Sequence, residues 1–305
     1  MRDALGEALI ELGDKYKELF VVDADSASHT RVKEFAERYS ERFVNVGISE
    51  QDLIGVAAGL ASCGKVVIAC AYAIFLLRAW EQIRNTVARA RLNVKIIGTH
   101  SGISNYGDGA SHQSIEDIAL MRVLPNMVVV VPADAVELKC ALESIIEYPA
   151  PAYMRIGRDE DHAVYEECDF KLGIANVLKD GSDVTVIAVG NMVFEALKAA
   201  QELKAKGIDV SVIDLHTIKP IDHHTIIKYA RYTGAVVTAE EHSVIGGLGS
   251  AVAEIICEEY PVPMRKVGID DVFGRSSRSL KELRDKLGLT SMSIVRAVEE
   301  VVKGR

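Results

Sequence analysis

The sequence predicts an α/β fold of two consecutive three-layer α/β domains, and three observations predict it. Short β-branched runs alternate with longer amphipathic stretches along the chain. The runs are apolar throughout, as strands covered by helices on both faces require. From residue 158 to 180 the chain turns polar and loses periodicity, which sets a first domain, 1–157, apart from a second, 181–305, by a linker.

In the first domain, strands are expected at 20–22, 43–46, 66–69, 94–97 and 127–131, with helices between them. This is the βαβ rhythm of a parallel sheet. The domain closes near Tyr153-Met154-Arg155-Ile156-Gly157, and Asp159-Glu160-Asp161 and Glu166-Glu167 mark the linker as exposed. In the second domain, strands are expected at 184–189, 210–213, 235–238 and 264–267. Helices start near Met192, His223 and Gly249, and an amphipathic helix over about 291–303 closes the chain.

Composition excludes several function classes. With 49% hydrophobic and 26% charged residues the chain is an ordinary globular protein. A net charge of -9 with no Lys/Arg-rich tract argues against a nucleic-acid surface, so any anionic ligand must be met by a few placed residues. No apolar run reaches the ~18 residues that span a bilayer, and the N-terminus lacks the apolar core of a secretion signal. Cys63, Cys70, Cys140, Cys168 and Cys257 show no CxxC spacing and read as reduced core residues of a cytoplasmic protein.

Two segments carry chemistry. Glu50 lies between an apolar strand and a Gly/Ala-rich helix, where burial disfavours the charged form and suits a carboxyl that shares a proton with a ligand. The alternative is a first-turn acid placed for the helix dipole, with Ser49 beginning a capping box. The second segment, 98–113, directly follows the strand at 94–97, and ligands of open α/β sheets bind at the carboxyl ends of strands. Its glycines permit a close loop, and His100, Asp108 and His112 can hydrogen-bond hydroxyls or a phosphate; a solvated surface loop is the other reading. The Gly246-Gly247-Leu248-Gly249 run lacks P-loop chemistry and reads as a tight turn into a helix. Gly107-Asp108-Gly109 matches the start of a diphosphate-and-metal signature, but its Asn pair is missing from the window Ala133-Asp134-Ala135-Val136.

Taken in order, Gly47-Ile48-Ser49-Glu50-Gln51, the Tyr72 to Trp80 stretch and Asp108-Gly109-Ala110-Ser111-His112 resemble the transketolase family over nearly the whole chain. The resemblance implies a parallel-sheet pyrimidine-binding domain followed by a mixed-sheet transketolase C-terminal-like domain. It implies that Glu50 bonds the aminopyrimidine of thiamine diphosphate and that Phe75 stacks on that ring, with Asp25, Tyr72 and Arg78 also at the cofactor. Plain core packing is the other reading of Phe75. Asp108 and His112 would meet the sugar's hydroxyl and carbonyl oxygens. His100, Arg2, Arg155 and Ser28, or its neighbour Ser26, would hold the sugar phosphate, for which Arg is suited by its fork of donors. Arg2 could instead be a frayed end, and Arg155 could pair with a linker acid.

The family's diphosphate- and metal-binding domain has no counterpart in these residues. The resemblance therefore implies one subunit of a split transketolase, active only with an N-terminal partner that holds most of the Mg2+ contacts. It implies pairing through the pyrimidine domains, as α2β2, and sugar phosphates as substrates. The alternatives are a deoxyxylulose phosphate synthase-like enzyme, a 2-oxoacid dehydrogenase E1 β-like subunit, and a non-catalytic regulatory paralogue. No metal ligand is assigned to this chain.

Overall fold

The computed structural model describes residues 1–158 and 162–303. Asp159-Glu160-Asp161, three of the acids that mark the linker, lie outside the described residues.

The strands are β1 (Leu19–Asp23), β2 (Phe43–Asn45), β3 (Val66–Tyr72), β4 (Val94–Thr99), β5 (Val128–Val130), β6 (Ala152–Arg155), β7 (Asn176–Lys179), β8 (Val184–Ala188), β9 (Val210–Asp214), β10 (Thr217–Lys219), β11 (Val236–Ser243) and β12 (Met264–Ile269). The first sheet runs β10-β5-β6-β4-β3-β1-β2 and is parallel apart from β10. The second runs β12-β11-β8-β9-β7, with β7 antiparallel to β9. Both are the expected α/β layers, the second a mixed sheet.

Helices cover both faces of each sheet. One side of the first sheet packs Leu5 and Leu9 of the helix Arg2–Lys15 against Leu138 and Leu142 of the helix Ala135–Glu147. The other side packs Leu53, Ile54 and Ala57 of the helix Glu50–Ser62 on Val22, Val67 and Ile96. That apolar cluster continues into the second sheet through Ile187, Ile213, Ile226 and Val252, so the two domains share a core. The far face of the second sheet is closed by the helices Met192–Ala205 and Ser291–Lys303.

Four features depart from the expectations drawn from sequence, the first being that residues 152–155, expected only as the close of the first domain, form β6 between β5 and β4. Residues 176–179, assigned to the linker, form β7; at four residues, with only partial burial, it is too short to show a period. β10 follows β9 in the second domain yet pairs with β5 of the first sheet, lacing the domains together. Cys63 and Cys257 are exposed, because one ends its helix and the other lies on an outward helix face; Cys70 is buried, and all five are free.

Candidate active site

The carboxyl ends of β1, β3 and β4, which are neighbours in the first sheet, open onto a cavity of about 380 Å³. Open α/β sheets place ligands at this edge. Asp25, Glu50, Tyr72, Phe75, Arg78, Asp108 and His112 line it together with Ser26 and His29. Residues expected at the cofactor and at the sugar thus share one wall, although they come from well-separated stretches of sequence.

Glu50 is the first residue of its helix and is only 7% exposed. Ser49 sits at the N-cap but makes no side-chain cap bond, so the capping-box reading gains no support. The carboxylate accepts no hydrogen bond from a described residue, and its nearest cation is Arg78, 3.7 Å away on a side chain that is 76% exposed. A buried acid facing a cavity with so few partners leaves its carboxyl open to a ligand.

The aromatic wall is a stack. The ring of Tyr72 lies parallel to Phe75 at 5.4 Å and to His100 at 3.7 Å, and His112 meets the Phe75 ring edge-on at 5.3 Å. Burial pushes the Tyr72 phenol up, the charges of Arg2 and Arg158 oppose this, and Asp108 adds to it. His100 is held with φ +54° and is buried. Its Nε2 accepts from Arg2 Nη1 at 3.2 Å, since a guanidinium only donates. The ring proton therefore sits on Nδ1, 2.9 Å from Thr99 Oγ1. A contact with Arg2 thus selects one tautomer of His100.

The loop after β1 is pinned from below. Asp23 accepts from the Ser26 amide at 2.7 Å and from its hydroxyl at 2.9 Å, while burial pushes the Asp23 carboxyl up. Asp25 is exposed, with its amide on Asn45 Oδ1. Ser26 thus lines the main cavity with its hydroxyl engaged, and the exposed Ser28 lines a neighbouring cavity with Lys33 and His29.

Arg155 is not brought to this group. It is buried, its Nε donates to both oxygens of Asp117 at 2.8 and 3.1 Å, and its Nη2 donates to the carbonyls of Ser114 and Glu241. The acid it pairs with lies in the first domain and not in the linker. Its Nε and Nη2 are held by structure, and Nη1 makes no hydrogen bond among the described residues while Arg155 lines a small separate pocket.

Two residues near the site escaped the reading from sequence. His29 lines the cavity edge-on to Tyr72, and Arg158 presents its carbonyl to Arg2 Nε and its Nη1 to Asn105 Oδ1. Arg158 follows the end of β6 by three residues, a strand-end position that could have signalled it. The Gly246 turn behaves as expected: Glu240 accepts the Leu248 and Gly249 amides at the start of the helix Leu248–Glu259, filling its N-terminus.

Comparisons with known proteins agree with this geometry. The transketolase pyrimidine binding domain family matches residues 1–161, and the transketolase C-terminal domain family matches residues 173–294. The chain is 47% identical to a protein of Methanocaldococcus jannaschii described as a putative transketolase C-terminal section, over 99% of this chain and 96% of that one. It is 42% identical to the 6-deoxy-6-sulfo-D-fructose transketolase subunit SqwH of a Clostridium species, over 99% and 94%. Among solved structures, a split gene transketolase described as an inactive β4 tetramer superposes with a TM-score of 0.91 at 48% identity, covering 99% of this chain and 98% of that one. Two family matches in the expected order, over a fold and cavity that fit them, establish that the chain belongs to the transketolase family.

Proposed function

We propose that this chain is the C-terminal subunit of a split, thiamine diphosphate-dependent transketolase, transferring a two-carbon glycolaldehyde unit from a ketose phosphate to an aldose phosphate. One observation carries the reading: a buried acid, an aromatic wall and two polar side chains, Asp108 and His112, line a single cavity. Its near full-length match to a transketolase C-terminal section and to a transketolase subunit supports the split arrangement.

The residues present fit the pyrimidine end of the cofactor. The Glu50 carboxyl would bond a ring nitrogen, and the flat faces of Phe75 and Tyr72 offer an aromatic platform beside it. When bound, thiamine diphosphate supplies the nucleophilic carbon that takes up the two-carbon unit. The diphosphate and Mg2+ would be held mainly by an N-terminal partner, in an α2β2 assembly paired through the pyrimidine domains.

Each residue of this chain then has a task. Glu50 gives and recovers a proton at the pyrimidine ring. Asp108 accepts from a sugar hydroxyl, and His112, whose Nδ1 lies 2.9 Å from Ser111 Oγ, presents its other nitrogen to the donor's oxygens. Arg2, His100 and Ser28, with Arg158 added from the geometry, form the phosphate end. Arg155, also expected there, has its Nε and Nη2 engaged by Asp117 and two carbonyls and keeps only Nη1 for such a role. The free cysteines go with a reducing cytoplasm.

The test combines the chain, its partner, thiamine diphosphate and Mg2+ with xylulose 5-phosphate and ribose 5-phosphate. Glyceraldehyde 3-phosphate should form, and Glu50→Gln should abolish most of it. Pyruvate decarboxylation in place of transfer would point to the synthase-like or dehydrogenase-like alternatives. No product with any substrate, and wild type and Glu50→Gln behaving alike, would leave a non-catalytic paralogue.

A further inference from the structure

The second domain carries a groove of about 860 Å³ among the helices Met192–Ala205, Leu280–Leu287 and Ser291–Lys303. Among the described residues, its lining brings Lys198, Lys281, Arg284, Lys286 and Arg296 against two carboxylates, on a chain of net charge -9. One of the two, Glu195, is turned inward to the Ser291 amide at 2.8 Å and to Lys198 at 3.4 Å. Lys281 and Arg296 are exposed and make no ion pair among the described residues. His162 and Phe194, stacked at 4.2 Å, form a flat wall.

The groove is wired to the cavity in the first domain. Arg284 donates to Glu241 Oε2 at 3.3 and 3.4 Å, and Glu241 Oε1 accepts from the Ile103 amide at 3.0 Å. Ile103 lies in the loop that carries Asp108 and His112. One carboxylate therefore touches the groove's most enclosed cation and the base of that loop.

We propose that this groove is a binding site for a small phosphorylated polyanion, of di- or triphosphate charge, whose binding is felt at the loop 101–113. A volume of this size suits a small metabolite. Exposed cations gain little from a single charge, but a concave cluster acting on several charges at once sums its attraction. Phosphate oxygens also take an Arg fork in the way a carboxylate does, so a bound polyanion competes with Glu241 for Arg284. The polyanion site does not depend on the thiamine reading, and either can fail alone.

Tripolyphosphate titrated into the full chain at low ionic strength, followed by calorimetry, tests it. Saturable binding is expected, weakened at least tenfold in Lys281→Glu/Arg296→Glu and unchanged in Arg2→Gln, which reports uptake at the sugar-phosphate end. Amide exchange of residues 101–113 should change on addition to wild type and not to the double variant. Absence of saturation at millimolar probe, equal affinity in the double variant, loss of binding in Arg2→Gln, or an exchange pattern indifferent to the probe would each overturn the proposal.

Discussion

Glu50 and Arg155 are both charged groups out of water, and the difference between them is what each one faces. Glu50 faces a cavity with a single loose cation beside it, so its burial is not repaid within the described residues. Glu50→Gln keeps the shape and removes the carboxyl. The expected outcome is an unchanged urea midpoint and a kcat lowered by roughly 10²- to 10⁴-fold in the reconstituted assay, the usual scale of general acid–base catalysis. Arg155 faces Asp117, which is fully buried and also accepts from the Tyr153 hydroxyl at 2.7 Å. Arg155→Met strands that carboxylate, and breaking one side of a buried pair costs roughly 3–5 kcal/mol. Urea denaturation should show this loss; a raised KM for sugar phosphate at an unchanged midpoint would instead restore Arg155 to the phosphate end.

At the scale of elements, the decisive one is the loop 100–113, because β4 delivers it but the second domain holds it in place. Glu241 of β11 takes the Ile103 amide, Gln113 donates to the Arg275 carbonyl, and the Ser277 amide donates to the Tyr106 carbonyl. Gly102 has φ +59°, and a Cβ there would lie 2.1 Å from Glu241 Oε1. Gly102→Ala therefore meets both strain and a clash, and the loop must shift. Sugar-dependent kcat/KM should fall at least tenfold while thiamine diphosphate affinity holds within twofold; equal losses in both would show that the loop does not act separately from the cofactor wall. The long strands were legible because burial on two faces makes them continuous apolar runs. β6, β7 and β10 were not: β6 is four residues at the close of the domain, β7 lies in the polar linker stretch, and β10 is three residues shortly after β9 that pair with the other domain. Glu50 stood out because charge between apolar segments is rare. The ion pair of Arg155 was not legible, because its partner sits 38 residues earlier, a pairing that only the fold brings about.

At the scale of the molecule, the domains are joined by more than the shared apolar core. Glu137, on the helix Ala135–Glu147, meets Asp214 at the end of β9, and Tyr165 from the linker donates to Asp214 at 2.7 Å. Asp134 at the same junction accepts the Val164 and Tyr165 amides, so helix, linker and second sheet converge on three acids. Burial first, and then the neighbouring acids, push Asp214 well up; burial pushes Glu137 up to about 7. Two such carboxyls side by side share one proton. Because the folded value lies above the unfolded one, the pair's stabilisation is full below about pH 4.5 and is lost as pH rises through about 7. A tenfold change in proton affinity is worth about 1.4 kcal/mol, so the loss by pH 8 is on the order of 3 kcal/mol. Thermal melts should therefore fall between pH 5.5 and 8. Glu137→Gln, which keeps a hydrogen bond to Asp214 without a titrating proton, should flatten that slope; a slope the same in both proteins would place the pH sensitivity elsewhere than at this domain junction.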